Sequence, residues 1–298
     1  MLTIEPTGSV LGATARGVDL AQPLSERDFG QMLLALGRHG VLRFPDQHLD
    51  LGALKRFSEQ FGEIQGPATR GRDPTQEYPE IDILSNLKED GKYIGSPDAG
   101  QDWHTDMTYR EVPGFVNVLY GIRIPHRDGK ALGGTEFSNT PEVKARLDGM
   151  TATHNIEKFW EHMRRVRNSP RPPMTDEQRR RRPPVVHPVF LTHPITGRKV
   201  LYCNPGFAEW INELPERESD EMLEYLFAHQ LQPQFRYTNV WAENDLLIWD
   251  HLSTLHRAIA DYGPDEIRLI RRCQVMATKV FDPEFLRPAR ELAAAGAA

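Results

Sequence analysis

Cysteine is scarce in this chain: Cys203 and Cys273 are the only two in 298 residues, and they form no CxxC pattern. A disulfide framework is therefore not expected, and a reducing, cytoplasmic setting is. No run of eighteen apolar residues occurs, which excludes an ordinary transmembrane helix and any call for a membrane partner. The opening MLTIEPTGSVLGATARGVDL lacks a basic start followed by an apolar stretch, so no secretory signal is expected. A basic excess is missing too. The net charge of −6 argues against a nucleic-acid partner, because chains that bind phosphate backbones carry a net basic face. These absences leave a soluble globular protein, long enough to bury a sizeable core without a disulfide or structural metal.

What is present falls into two rhythms. Near the start, SERDFGQMLLALGRHG reads as a helix: Ser25 is placed to cap it, Phe29, Met32, Leu33 and Leu36 recur at helical spacing, and Gly40 closes it. VLRF reads as a strand, and LDLGALKRFSEQFG as a second amphipathic helix ending at Gly62. From residue 80 the period shifts towards two. IDILSN, FVNVLYGIRIP, TEFSN, VVHPVFLTHP, KVLYCN, QFRYTNVWA, DLLIWD and IRRCQVMATKV all read as strands. Many short strands separated by Pro, Gly and Asn turns predict a mainly β sandwich or barrel with flanking helices.

Two segments interrupt that rhythm. Residues 155–184 are rich in Arg and Pro and read either as a solvated helical insertion or as a lid over a pocket. ELPERESDEMLEYLFAHQ is an amphipathic helix with Met222, Leu223, Leu226 and Phe227 on one face, a core stripe. The last residues, 291–298, read as a flexible tail.

The stretch DWHTDMT carries the chemistry. On a strand, residues i and i+2 share a face, so His104 and Asp106 would point into one cavity. With His256, in STLHRA, they would complete a two-histidine, one-carboxylate set that leaves three metal positions open. An HxD pair alone arises often by chance, and its plain alternative is a His and Asp bonded to each other at a strand edge. Further along, Arg268 and Arg272 lie at even separation on one predicted strand. Arginine suits a buried carboxylate, since its planar fork binds both oxygens. The alternative is a solvent-facing basic edge shared with Arg271.

The landmarks WHTDMTY, GGTEF, HPVFLTHPITGRKVLYCNPGF, LLIWDHLSTLHRA and IRLIRR, taken together, resemble one family. It is that of the Fe(II)/2-oxoglutarate-dependent dioxygenases of the taurine dioxygenase and 2,4-dichlorophenoxyacetate dioxygenase type (TauD/TfdA), and the likeness runs from LGATARGVDL to VMATKV. The resemblance implies a double-stranded β-helix (jelly-roll, cupin-like) core and one catalytic domain over residues 1–290. It implies Fe(II) as cofactor, with 2-oxoglutarate and O2 as co-substrates, and His104, Asp106 and His256 as iron ligands. Thr135 and Arg268 match the residues that hold the far carboxylate of 2-oxoglutarate. Arg272 matches a second arginine near the co-substrate and the substrate's anionic group. Phe207 matches an aromatic of the substrate pocket, with Met107 and Gly100 beside it.

Three departures bear on the substrate. No histidine follows FGE in FGEIQGPATRG, Gly100 stands where a pocket asparagine is expected, and WDH, with His251, replaces the usual WDN. Taurine is therefore expected to be a poor substrate. The implied reaction is hydroxylation of a C–H in a small organic anion (a sulfonate, alkyl sulfate, or aryloxy or alkyl carboxylate), releasing succinate and CO2. Arg272 is expected to stay unpaired until an anion arrives. The competing readings are a tailoring oxygenase of an amino acid or secondary metabolite, a non-catalytic β-helix metal- or ligand-binding protein, and a metal-dependent hydrolase. A homo-oligomer, dimer or tetramer, is expected.

Overall fold

The computed structural model describes residues 1–66, 77–139, 147–167, 169 and 172–296. The chain opens with β1 (Thr3–Pro6), β2 (Ala13–Arg16), α1 (Glu26–His39), β3 (Val41–Phe44), α2 (Leu51–Glu59) and β4 (Asp82–Ser85). Both helices begin on predictable caps. The Ser25 hydroxyl accepts from the Asp28 N–H at 3.0 Å, and Asp50 accepts from Ala53 at 2.6 Å. A hairpin of β5 (Lys88–Glu89) and β6 (Lys92–Tyr93) precedes the long β7 (Gly114–Arg123). A second hairpin, β8 (His126–Arg127) and β9 (Lys130–Ala131), leads to β10 (Thr135–Asn139) and β11 (Thr151–His154).

Two short helices, α3 (Ile156–Arg165) and α4 (Asp176–Arg181), come next. They are followed by β12 (Val185–Pro188), β13 (Phe190–Thr192), β14 (Lys199–Leu201), β15 (Ala208–Ile211) and α5 (Glu216–Gln230). The chain then runs through β16 (Arg236–Asn239), β17 (Leu246–Asp250), β18 (Thr254–Ala258), β19 (Leu269–Met276) and α6 (Arg287–Ala294).

Seven strands form the principal sheet in the order β1-β2-β3-β17-β7-β19-β4, antiparallel except for the β2–β3 pair. Its central strands are buried on both faces, so they read as nearly unbroken apolar runs. On β17, Leu246 and Ile248 join the core shared with α1 and α2, while Leu247 and Trp249 join the opposite core. That second core is closed by Phe137 and Trp241, next to the small sheet β16-β10-β18. The polar residues Asp82, Asn117 and Arg272 interrupt these runs. Each shares parity with a neighbour in the second core: Leu84, Leu119 and Ile270. Parity thus sends the three polar residues to the face that carries the site.

Three expectations need correction. VVHPVFLTHP is not one strand: β12 pairs with β11, whereas β13 pairs with β14. The switch occurs at Val189, whose N–H bonds to the Met150 carbonyl and whose carbonyl accepts from Tyr202. The tail read at 291–298 begins inside α6, which continues to Ala294 and buries Ala289 against the α1 layer; 297–298 lie outside the described residues. The described part of residues 155–184 is not simply solvated; residues 168, 170 and 171 lie outside the described residues. Ile156, Phe159, Trp160 and Met163 recur at helical spacing along α3, and Ile156 and Met174 are buried with Phe207.

The stripe on α5 packs as expected, with Leu223 and Leu226 buried. Cys203 and Cys273 are buried thiols that form no disulfide. Among the described residues no helix is long and apolar enough to cross a membrane.

Candidate active site

His104 and Asp106 do not sit on a regular strand, which corrects the sequence reading. His104 forms an isolated bridge to His256, each N–H bonding the other's carbonyl at 3.1 and 2.9 Å. The chain then turns, with Met107 at φ 61°. A bridge followed by a turn brings both side chains to the same place as strand alternation would. Close approach helps: a Cβ on Gly206 would lie 2.8 Å from the His104 Cβ, so only glycine lets that backbone pass.

His104, Asp106 and His256 each offer a donor atom, and the three atoms lie within 4.8 Å of one another. Asp106 Oδ1 is 3.4 Å from His104 Nε2, and its Oδ2 is 3.5 Å from His256 Nε2. His104 Nδ1 is 2.7 Å from the Asp102 carbonyl. A carbonyl only accepts, so Nδ1 donates there and Nε2 is the ring nitrogen turned to Asp106. Burial, reinforced by His104 nearby, pushes the His256 imidazole down to about 3, so it is neutral at pH 7. Burial pushes the Asp106 carboxyl up, but His104, His256 and Arg272 together hold it well below the ordinary carboxylate range. Two imidazoles and an ionised carboxylate suit a divalent metal of intermediate softness.

Gly100, His104, Thr135, His256, Arg268 and Arg272 line one narrow cavity of about 30 Å³, walled by Leu84, Leu119 and Trp249. Arg268 is 5 % exposed. Its Nε donates to the Gly133 carbonyl at 3.2 Å, and its backbone is fixed by Asn86 and Ser85. Burial lowers its pKa, with Tyr262 opposing, yet a guanidinium stays charged at neutral pH. The Thr135 hydroxyl accepts from Trp241 Nε1 at 3.0 Å, which leaves its proton to donate.

Arg272 faces the same cavity but is not waiting for an anion. Its Nε and Nη2 both donate to Asp82 Oδ2, at 3.2 and 2.8 Å. Asp82 lies directly opposite it across the β4–β19 ladder, a pairing that spacing within one strand could not reveal.

Phe207 belongs to an aromatic group on the other side of His104. It lies 4.8 Å from Tyr109 and 5.3 Å from Phe159 between ring centres, and Phe159 stacks on His104 at 5.4 Å. Met107 does not line the cavity. It is fully buried, and a Cβ on Gly114 would stand only 2.7 Å from its terminal methyl. Gly100 does line it, at φ 73°, and a Cβ there would stand 3.6 Å from the His104 ring. His251 is buried with both ring nitrogens unpartnered, and burial pushes it down to about 4.

Sequence reasoning passed over Asp82, Asn117 and Phe159. The first two are polar interruptions in apolar strands, and Asn117 Nδ2 donates to Asp106 Oδ2 at 2.8 Å. Phe159 was hidden by the Arg-rich composition around it.

Two imidazoles and one carboxylate beside a buried arginine make the donor set of the two-histidine, one-carboxylate metal enzymes. The chain belongs to the taurine catabolism dioxygenase TauD, TfdA family, whose family model matches residues 3–274. It is accordingly a 2-oxoglutarate-dependent non-haem iron dioxygenase, using Fe(II), 2-oxoglutarate and O2.

Pentalenolactone F synthase of Streptomyces arenae is 30 % identical over 280 residues, covering 89 % of this chain and 92 % of that protein. The alpha-ketoglutarate-dependent 2,4-dichlorophenoxyacetate dioxygenase of Burkholderia sp. (strain RASC) is 30 % identical over 262 residues, covering 82 % of this chain and 84 % of that one. The crystal structure of a taurine dioxygenase from Burkholderia xenovorans superposes with a TM-score of 0.72 at 28 % identity, covering 92 % of this chain and 89 % of that chain.

Proposed function

We propose that this dioxygenase hydroxylates a C–H of a small organic anion (a sulfonate, alkyl sulfate, or aryloxy or alkyl carboxylate), with release of succinate and CO2. The observation that carries the reading is the convergence of His104, Asp106 and His256 beside Arg268 at one cavity. His104 through Nε2, Asp106 and His256 through Nε2 would hold the iron. When bound, iron supplies the oxygen activation that amino-acid side chains lack.

The remaining work falls to the chain. Arg268 and Thr135 bind the far carboxylate of 2-oxoglutarate: the buried Arg268 guanidinium, held by the Gly133 carbonyl and Tyr262, supplies the charge, and the Thr135 proton remains to donate. Leu84, Leu119 and Trp249 keep water from the bound co-substrate. Phe159 and Phe207 flank the substrate, and the 155–184 segment acts as a lid, supported by the stacking of Phe159 on His104.

The catalytic domain spans 1–290 on a double-stranded β-helix, a reading supported by the second core between the two facing sheets. Two buried cysteines outside any disulfide support a cytoplasmic setting. The anionic substrate class rests on the relatives, whose names specify a phenoxyacetate and taurine. It does not rest on Arg272.

One observation favours a second reading, a tailoring oxygenase of a secondary metabolite: the 30 % identity to pentalenolactone F synthase. Succinate release with Fe(II) and 2-oxoglutarate, measured across alkyl sulfates, aryloxyacetates, taurine and terpenoid lactones, separates the two. His104→Ala, Asp106→Ala and His256→Ala are each expected to abolish turnover while leaving a folded protein. Retained decarboxylation in all three variants refutes the ligand assignment.

A further inference from the structure

Asp106 has two oxygens, and the structure treats them differently. Its Oδ2 accepts from Asn117 Nδ2 at 2.8 Å and lies 3.6 Å from Arg272 Nη1. Its Oδ1 is the atom 3.4 Å from His104 Nε2. One side of the carboxylate is therefore braced by donors from the principal sheet.

Arg272 can brace Asp106 only because something else holds the guanidinium. Asp82 takes both Nε and Nη2 on one oxygen, occupying the edge of the fork that would otherwise grip a carboxylate bidentately. Nη1 is then the corner nearest Asp106. The register produces this arrangement, since Asp82 is the direct cross-strand partner of Arg272. The pair is largely buried, with side-chain exposures of 18 % for Arg272 and 11 % for Asp82, so neither group readily turns to solvent.

We propose that Asp82 is a positioning residue for the metal site: it restrains Arg272 so that Arg272 braces Asp106 through one nitrogen without capturing it. The proposal rests on the reading of His104, Asp106 and His256 as metal ligands. Without Asp82, the carboxylate within reach of Arg272 is Asp106, 3.6 Å from Nη1. A guanidinium swung onto Asp106 would bind both its oxygens and compete directly with a metal ion. Asp82 also offsets the positive charge of Arg272 before any ligand enters. An incoming anion therefore meets a guanidinium whose principal edge is already taken.

The test is Mn(II) binding, followed by the paramagnetic resonance signal of free Mn(II), in wild type, Asp82→Ala, Arg272→Met and the double variant. Asp82→Ala is expected to weaken Mn(II) binding about ten-fold, the lower end of what loss of a group supporting a metal ligand costs. In the Arg272→Met background the same change is expected to do almost nothing, because Asp82 acts through Arg272. Unchanged affinity in Asp82→Ala overturns the proposal, and so does an equal loss with and without Arg272. Asp82→Asn, of the same size and uncharged, carries the test with the same two outcomes if Asp82→Ala does not fold. His104→Ala is the separate check on the underlying reading: wild-type Mn(II) affinity in that variant refutes the metal site itself, whatever Asp82 does.

Discussion

On the proposed role of Arg268, the Arg268→Ala variant separates co-substrate recognition from metal binding. The backbone at this position is held independently of its side chain, by Asn86 on the N–H at 2.9 Å and Ser85 on the carbonyl at 2.7 Å. The strand should therefore keep its place. What is lost is a charged group only 5 % exposed, whose terminal nitrogens are not engaged by Gly133. Leaving the far carboxylate of 2-oxoglutarate in that site without its partner costs on the order of 3–5 kcal/mol, about a hundred- to a few thousand-fold in affinity. Arg268→Lys keeps the charge but not the planar fork, and an intermediate loss is expected. The assay is calorimetric titration of the Mn(II)-loaded protein with 2-oxoglutarate, alongside Mn(II) affinity by itself. Affinity for 2-oxoglutarate should collapse while Mn(II) binding changes by less than about three-fold, because the three metal donors remain in place. A 2-oxoglutarate constant within ten-fold of wild type would refute the assignment of Arg268.

The other predictions concern a buried histidine and the helical cover. His154 is fully buried with neither ring nitrogen partnered, and burial pushes it from its ordinary 6.5 to about 3. The unfolded chain thus takes up a proton that the folded protein refuses: stability is full above pH 6.5 and falls as the pH drops towards 3. At pH 5 this histidine alone removes about 2 kcal/mol. Urea unfolding of wild type and His154→Leu at pH 8 and pH 5 should differ by that amount in their pH sensitivity, and an identical pH dependence contradicts the account. On the other side of the site, Arg167 pairs with Asp102, whose carbonyl orients His104. Hydrogen exchange in α3 should slow when Mn(II), 2-oxoglutarate and a turned-over substrate are bound, and Arg167→Ala should speed it in their absence. Exchange that is equally fast in every state would make this segment ordinary surface.

Much of the chemistry was legible in the chain itself. Residue type and local order suffice for the Ser25 cap of α1 and for the apolar runs of β7 and β17, whereas His104, Asp106, His256 and Arg268 are singled out by the family resemblance of their motifs taken together. These are short-range properties: a capping hydroxyl, a strand parity, a donor type at a given spacing. Asp82 and Asn117 stand in the sequence as polar breaks in apolar strands, a signal that the sequence reading passes over and that does not say what they meet.

Tertiary structure decided the rest, because contacts across a sheet join residues far apart in the chain. Asp82 reaches Arg272 through the β4–β19 ladder, so an arginine expected to await an anion is already paired. Asn117 reaches Asp106 from β7. A bridge and a turn, not a strand, bring His104 and Asp106 to one point. The α3 stripe acquires its meaning only where Phe159 meets His104. The sequence determines which groups can bind iron and 2-oxoglutarate; the register of neighbouring strands determines which of them are still free to do so.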